Sequence, residues 1–373
     1  MTFTNNHLMR VREMMAEYNL DVLYVRNTSN ILWLTGFLGV FDSEPAHLVL
    51  ITQDTVLLHT DSRYSAALRV AAQDTAFIID DAKATFPEVL DEFIAFHIHE
   101  FSDPSQIVVG IEDTILLREW EMLQEDRTYL YHVTSNFIEQ LRAEKDTHEI
   151  EALRQAQAIT DQAFTYITTY MKVGMTELEV QRELDRFMFE LGADALAFDT
   201  IVATGAHAAS PHAQPTEIPL AKGDAVVMDF GAKKNGYCSD MTRTVFMGEP
   251  DTTLQHAWKA LRLANETCEQ MICEGVRASE VHSKAEEILA DFGFAGCMGH
   301  SLGHGVGIDI HELPNLSSSN SNELLQGNVV TVEPGIYIEG KFGMRLEDFG
   351  VVTDERFEVF TQSTHEMVII ENC

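Results

Sequence analysis

The stretch VVMDFGAKKNGYCSDMTRT, residues 226–244, sets Asp229 and Asp240 on either side of a glycine-rich turn, inside a run that reads as buried β structure. Asn235-Gly236 is a strong short hairpin signal, a type I′ turn whose two central residues take positive φ. A two-residue turn there puts Lys234 opposite Tyr237; counting outward, Gly231 faces Asp240 and Asp229 faces Thr242. Residues 229, 231, 240 and 242 then share one face of the ribbon, with the aspartates as diagonal neighbours about 7–8 Å apart. Two ionised acids on one buried face repel each other, so the pattern calls for a cation.

The design recurs downstream. Gly223 is followed six residues on by Asp229-Phe230-Gly231, and Gly327 six residues on by Glu333-Pro334-Gly335, each acid preceded by an apolar run, AVVM or VVTV. Helical patterns precede both copies, which implies a duplicated unit of helices plus hairpin about a pseudo-twofold axis. Glu333 and Glu347 lie equally far from Gly340, so a loop centred there sets them opposite each other. Four acids then converge from two hairpins. The nearest protein cations are Arg243 and Arg345, and two divalent metal ions would balance the four charges.

A histidine completes such a donor set. The segment GHSLGHGVGIDIHE, residues 299–312, offers His300, His304 and His311. Its glycines at 299, 303, 305 and 307 oppose a helix and favour an extended strand with close backbone packing. A set dominated by carboxylate oxygens suits manganese first, with cobalt, iron or zinc as alternatives. Two such ions a few ångströms apart can share a hydroxide that is nucleophilic at neutral pH, and they can polarise a scissile carbonyl.

The remainder of the chain sets bounds. Its 373 residues, 45% hydrophobic and 23% charged, predict a soluble two-domain α/β (α+β) protein. No stretch has the apolar length of a membrane span or signal peptide, so the expected location is the cytoplasm. Cys238, Cys268, Cys273, Cys297 and Cys373 form no CxxC pair, which argues against a disulfide framework or a thiolate zinc site. A net charge of −34 repels nucleic acid and anionic lipid, excluding both as expected partners.

Over the first 140 residues, Leu8, Val11, Met14, Met15 and Tyr18 mark a helix face, and 21–25, 47–52, 55–59 and 106–111 read as strands. The boundary is placed near Gln140, giving domains 1–140 and 141–373. Asp146 with Glu149, and Thr176 with Glu179, have capping-box spacing at the heads of two helices; further helices are expected at about 252–274 and 279–291.

In order, PHA (211–213), DFG (229–231), SDMTRT (239–244), GHGVG (303–307), IHE (310–312), VEPGIY (332–337) and MRLED (344–348) resemble the pita-bread metallopeptidases of the prolidase and aminopeptidase P group, relatives of methionine aminopeptidase. The likeness runs from 141 to 373, and more weakly into NILWLTGF (30–37) and DSRY (61–64). It implies a creatinase-like amino-terminal domain before a pita-bread catalytic domain, a homodimer, and two metal ions per chain. Asp229 would chelate one ion, Asp240 and Glu347 would bridge both, and His304 with Glu333 would hold the other. Glu333 would also act as general base. His212 and His311 would flank the substrate and stabilise its tetrahedral intermediate, with His300 and Arg345 as supporting contacts. The implied reaction is exopeptidase cleavage between an amino-terminal residue and a following proline. In several dipeptidases of the group an arginine follows the H-E-x-P segment; here Asn315 takes that place in HELPN, so strict dipeptidase action is not implied.

Two other functions are weighed against this one: an amidinohydrolase resembling creatinase, which uses the fold without the metal ligands, and a catalytically silent protein-binding module. Each acid or histidine alone has a bland reading as turn cap, hairpin surface or packing. Taken together, those readings leave four like charges around two hairpins without compensation.

Overall fold

The computed structural model describes residues 3–371 except 43, 100 and 127. Cys373 therefore lies outside the described residues; Cys238, Cys268, Cys273 and Cys297 form no disulfide among the described residues. The chain divides into two compact units, Met1–Arg142 and Ala143–Cys373.

In the first unit a six-stranded mixed sheet runs in the order Phe77–Asp80, Val56–His59, Leu48–Ile51, Val22–Val25, Val108–Glu112, Leu130–Thr134. Its central strands are apolar on both faces and covered on both, which is why they read as unbroken hydrophobic runs. The helix Phe3–Glu17 buries Leu8, Val11 and Met15, whereas Tyr18 falls beyond its end and is exposed. Phe77–Asp80 and Leu130–Thr134 were not anticipated. They are edge strands, short and only partly buried: Phe77–Asp80 has one buried residue of four and Leu130–Thr134 one of five.

The second unit repeats one plan twice. Thr147–Tyr170 and Glu177–Glu190 precede the first hairpin; Thr252–Met271 and Ala278–Asp291 precede the second. The first two helices carry the expected capping boxes, Asp146 with Glu149 and Thr176 with Glu179. The first helix pair packs Ala163, Ile167, Val180 and Leu184 with Val226, Met228 and Val245 of the first hairpin. The second pair packs Leu261, Ala264, Val281 and Leu289 with Val330, Val332 and Val352 of the second. Each hairpin thus has one apolar face buried beneath helices and the other face free for polar groups.

The register of the first hairpin is the one read from the turn. Asn235 and Gly236 have φ of 51° and 82°, Lys234 pairs with Tyr237, and Thr242 pairs with Asp229. In the second, Val332 pairs with Asp348 and Gly335 with Arg345. That single register places Glu333 across from Glu347. Both hairpins change sheet part-way along. Ala225–Phe230 and Met241–Met247 belong to a four-stranded sheet, while their continuations Ala232–Lys234 and Tyr237–Cys238 join a three-stranded one. Val329–Val332 and Asp348–Val352 belong to a five-stranded sheet, and Gly335–Ile338 with Phe342–Arg345 make a separate two-stranded ribbon. The four acids sit at these two changes of sheet.

Candidate metal centre and active site

The hairpins are joined across their polar faces. The Glu347 amide donates to the Thr242 carbonyl (3.1 Å), the Thr244 hydroxyl donates to the Arg345 carbonyl (2.9 Å), and the Arg345 amide donates to Thr244 Oγ1 (3.1 Å). These contacts bring the acids of both repeats to one cavity of about 390 Å³, whose wall includes Asp229, Asp240, His304, Glu333 and Glu347, together with His212, His300, His311 and Arg345. All nine candidate residues therefore meet in one place.

His304 lies on the short strand Gly303–Gly305. The flanking glycines are required by close approach: a Cβ at Gly303 would lie 2.1 Å from the Thr331 carbonyl oxygen, and one at Gly305 2.3 Å from that of Leu313. The His304 Nδ1–H faces the Gly305 carbonyl at 3.0 Å. That bond leaves Nε2 as the free lone pair, 3.6 Å from Asp240 Oδ2 and 3.4 Å from Glu333 Oε1. Donor atoms of Asp240, His304 and Glu347 all lie within 4.8 Å of one another.

Electrostatics marks the cluster as unbalanced. Burial, then Glu347, Asp229 and Glu333, push Asp240 well above the carboxylate range. Burial, then Glu333 and Asp229, do the same to Glu347, and burial raises Glu333. Burial lowers His304, favouring the neutral ring that can donate a lone pair. Asp229 Oδ1 is buried with no hydrogen-bond partner among the described residues. A crowded set of oxygen donors, a neutral imidazole aimed into it and an orphaned carboxylate oxygen match what a site for divalent cations requires.

Arg345, which spacing places beside Glu347, instead pairs with Asp229. Its Nε donates to Thr242 Oγ1 (2.8 Å), and Thr242 in turn donates to Glu347 Oε2 (2.6 Å), so one arginine orients acids of both hairpins. Its Nη1 donates to Tyr337 Oη (2.6 Å), which lies 3.1 Å from His300 Nε2; burial pushes the Tyr337 phenol up to about 12. Arg243, the other cation named from sequence, turns away to Asp348 (2.6 Å). Sequence reading missed the orienting roles of Thr242, Thr331 and Tyr337, although Thr242 was legible from register as the residue opposite Asp229. His212 and His311 are exposed at the cavity, unlike the buried acids, and the rings of His304 and His311 meet at 4.4 Å.

A family model for the M24 metallopeptidases matches residues 151–354, the segment that carries both hairpins and the histidine strand. The chain belongs to metallopeptidase family M24. Ahead of the M24 domain, residues 7–144 match the creatinase/prolidase amino-terminal domain. The chain is 32% identical over 366 residues to the uncharacterized peptidase YqhT of Bacillus subtilis, covering 97% of this chain and 99% of that one. Among solved structures it is similar to an Xaa-Pro dipeptidase from Bacillus anthracis (TM-score 0.89, 32% identity, 98% and 99% of the two chains). It is also similar to an X-Pro aminopeptidase from Thermotoga maritima (0.84, 32%, 96% and 100%) and to the prolidase of Pyrococcus furiosus (0.84, 28%, 94% and 99%). The α/β amino-terminal domain followed by a pita-bread M24 domain agrees with the fold expected from sequence. No described helix is long and apolar enough to cross a membrane.

Proposed function

We propose that this M24 peptidase is a two-metal exopeptidase that hydrolyses the bond between an amino-terminal residue and proline in short peptides. The observation that carries the reading is the convergence of Asp229, Asp240, Glu333, Glu347 and His304 on one cavity in which Arg345 is the one arginine or lysine among the described residues of the wall. Its likeness to two Xaa-Pro peptidases and a prolidase supports the proline preference.

Asp229, Asp240, Glu347, His304 and Glu333 would hold two divalent ions, manganese by donor type, with cobalt, iron or zinc as alternatives. When bound, the ions supply activation of a water at neutral pH and polarisation of the scissile carbonyl. Arg345 and Thr242 hold Asp229 and Glu347 in orientation, and the Gly305 carbonyl fixes the His304 tautomer. Glu333, steadied by Thr331 at 3.2 Å, takes the proton of the attacking water and returns it to the leaving amine. His311, whose charged form burial disfavours, donates to the developing oxyanion. His212 lines the same wall and flanks the substrate, while His300 and Arg345 support its contacts. The working form is a homodimer in the cytoplasm, and its partners are peptides rather than nucleic acid or membrane.

The intact donor set disfavours an amidinohydrolase or a silent binding module. The test compares chelated and metal-reconstituted protein on Ala-Pro-Ala and on trialanine. Metal-dependent cleavage confined to the proline peptide is expected; no cleavage with metal bound would defeat the proposal.

A further inference from the structure

The helix Glu177–Glu190 begins with a fully buried carboxylate that serves a distant segment of chain. Glu177 Oε1 accepts from the Thr204 amide (2.8 Å) and from His207 Nδ1–H (2.9 Å), and Oε2 accepts from the Thr216 amide (2.9 Å) and the Thr216 hydroxyl (2.7 Å). A single charge at the positive end of a helix thus gathers both ends of the segment 204–216 and a point within it. Among the described residues, Glu177 is the one side-chain partner of His207.

The segment so gathered carries part of the cavity wall. After the turn Gly205–Ala209 come Pro211, His212 and Gln214, all in that wall. The His212 ring has no hydrogen-bond partner among the described residues, so its position follows its backbone. Two contacts seat the middle of the segment on the second hairpin. The Pro211 carbonyl accepts from Arg345 Nη1 (3.3 Å), and the Ala208 carbonyl oxygen stands 1.7 Å from where a Cβ at Gly343 would lie.

We propose that Glu177 is a positioning residue for substrate binding: through Thr204, His207 and Thr216 it fixes how the segment 204–216 presents His212 to the cavity. The proposal rests on the reading of His212 as a substrate contact and names what holds it in place. None of the Glu177 bonds goes to a metal donor, so its loss acts on peptide turnover and leaves the donor set alone. The Glu177 amide donates to the Ile218 carbonyl and the Leu178 amide to the Thr216 carbonyl, both at 3.1 Å. These backbone bonds keep the helix docked when the side chain is changed.

The test uses the manganese-reconstituted full chain. Glu177→Gln turns an amide group toward donors that a carboxylate accepted, His207→Leu removes one donor, and His207→Asn places an amide nitrogen where Nδ1 stood. For Ala-Pro-Ala, kcat/KM should fall about 10-fold or more in Glu177→Gln and by a smaller factor in His207→Leu, with His207→Asn within about 2-fold of the unsubstituted chain. Bound manganese should be unchanged in all three. In a His212→Ala background, Glu177→Gln and His207→Leu should each add less than about 2-fold, because their effect runs through His212. Amide hydrogen exchange across 204–216 should quicken in both variants while the two hairpins keep their protection. Full additivity with His212→Ala, loss of manganese in either variant, or exchange in 204–216 unmoved in both would overturn the proposal. Should Glu177→Gln fail to fold, His207→Leu, at a partly exposed position, carries the same cycle. Cleavage of trialanine without cleavage of Ala-Pro-Ala defeats only the Xaa-Pro reading, and the cycle is then read on trialanine. Where neither peptide turns over, calorimetry reads the cycle as affinity for Ala-Pro-Ala, and an affinity unmoved by His207→Leu overturns the proposal.

Discussion

Glu347 and Asp348 are neighbours in sequence, both buried, and they face two different solutions to the same problem. Asp348 points into the protein, where Arg243 pairs with it at 2.6 Å and His365 Nε2 lies at 2.7 Å. Burial alone would raise its pKa, but Arg243 and His365 overcome that and hold it at about 2. The adjoining Glu269 is pushed by burial and by Asp348 up to about 9, so it stays neutral at pH 7. Glu269, Asp348 and His365 are close enough to resemble a metal site, yet protein cations and a retained proton already balance them. Glu347 faces the cavity, meets Asp240 and Glu333, and is pushed well above the carboxylate range. Proximity of acids and histidine does not define a metal centre; an excess of acids over protein cations does, here four carboxylates against Arg345.

The comparison can be broken at either end. Asp240→Ala on the cavity side should remove metal and turnover together, exceeding the roughly 10–100-fold loss typical of an outer-shell partner; retained metal content and full activity would show that Asp240 is not a ligand. On the protein-balanced side, Arg243→Leu should cost about 3 kcal/mol of stability, because it removes one partner of a buried pair and leaves the Asp348 charge to His365 alone. Denaturant titration reads this, and a loss below about 1 kcal/mol would mean Asp348 finds water or a proton without strain.

His311→Ala separates chemistry from metal holding: metal content should stay intact while kcat/KM falls roughly 10²-fold, as for loss of an oxyanion donor. An unchanged rate would leave His311 as wall only. The smallest effect belongs to His365. Burial opposes its charge, but Asp348 outweighs burial and raises its pKa. Its contribution is therefore fully present below the unfolded value of about 6.5 and fades as pH rises through the raised folded value. His365→Gln should cost no more than about 1 kcal/mol at acidic pH, given partial solvent screening, and less at pH 9. A gap that widens with pH would reverse the sign assigned to this pair.

Much of the site was legible because hairpin register is local. Asn235-Gly236 sets the spacing of Asp229 and Asp240, and the equal distance of Glu333 and Glu347 from Gly340 predicts their pairing, which the observed register reproduces. The glycines around His304 correctly announced close backbone contact. What escaped reading was long-range partner choice. Arg345 lies two residues from Glu347 yet bonds Asp229, 116 positions away, and Arg243 sits among the acids in sequence but serves Asp348. No periodicity encodes such pairings, since they depend on which face each hairpin presents after it changes sheet. The edge strands of the first unit were missed for the complementary reason that their half-exposed side chains blur the alternation.

The most direct measurement is a titration of manganese into metal-free protein, following bound metal and Ala-Pro-Ala cleavage in the same samples. Two ions bound per chain, with turnover appearing as they bind and both lost in Glu347→Gln, are the expected result. Turnover in the metal-free chain, or metal binding unaffected by Glu347→Gln, would contradict the assignment of the four acids to a shared metal centre.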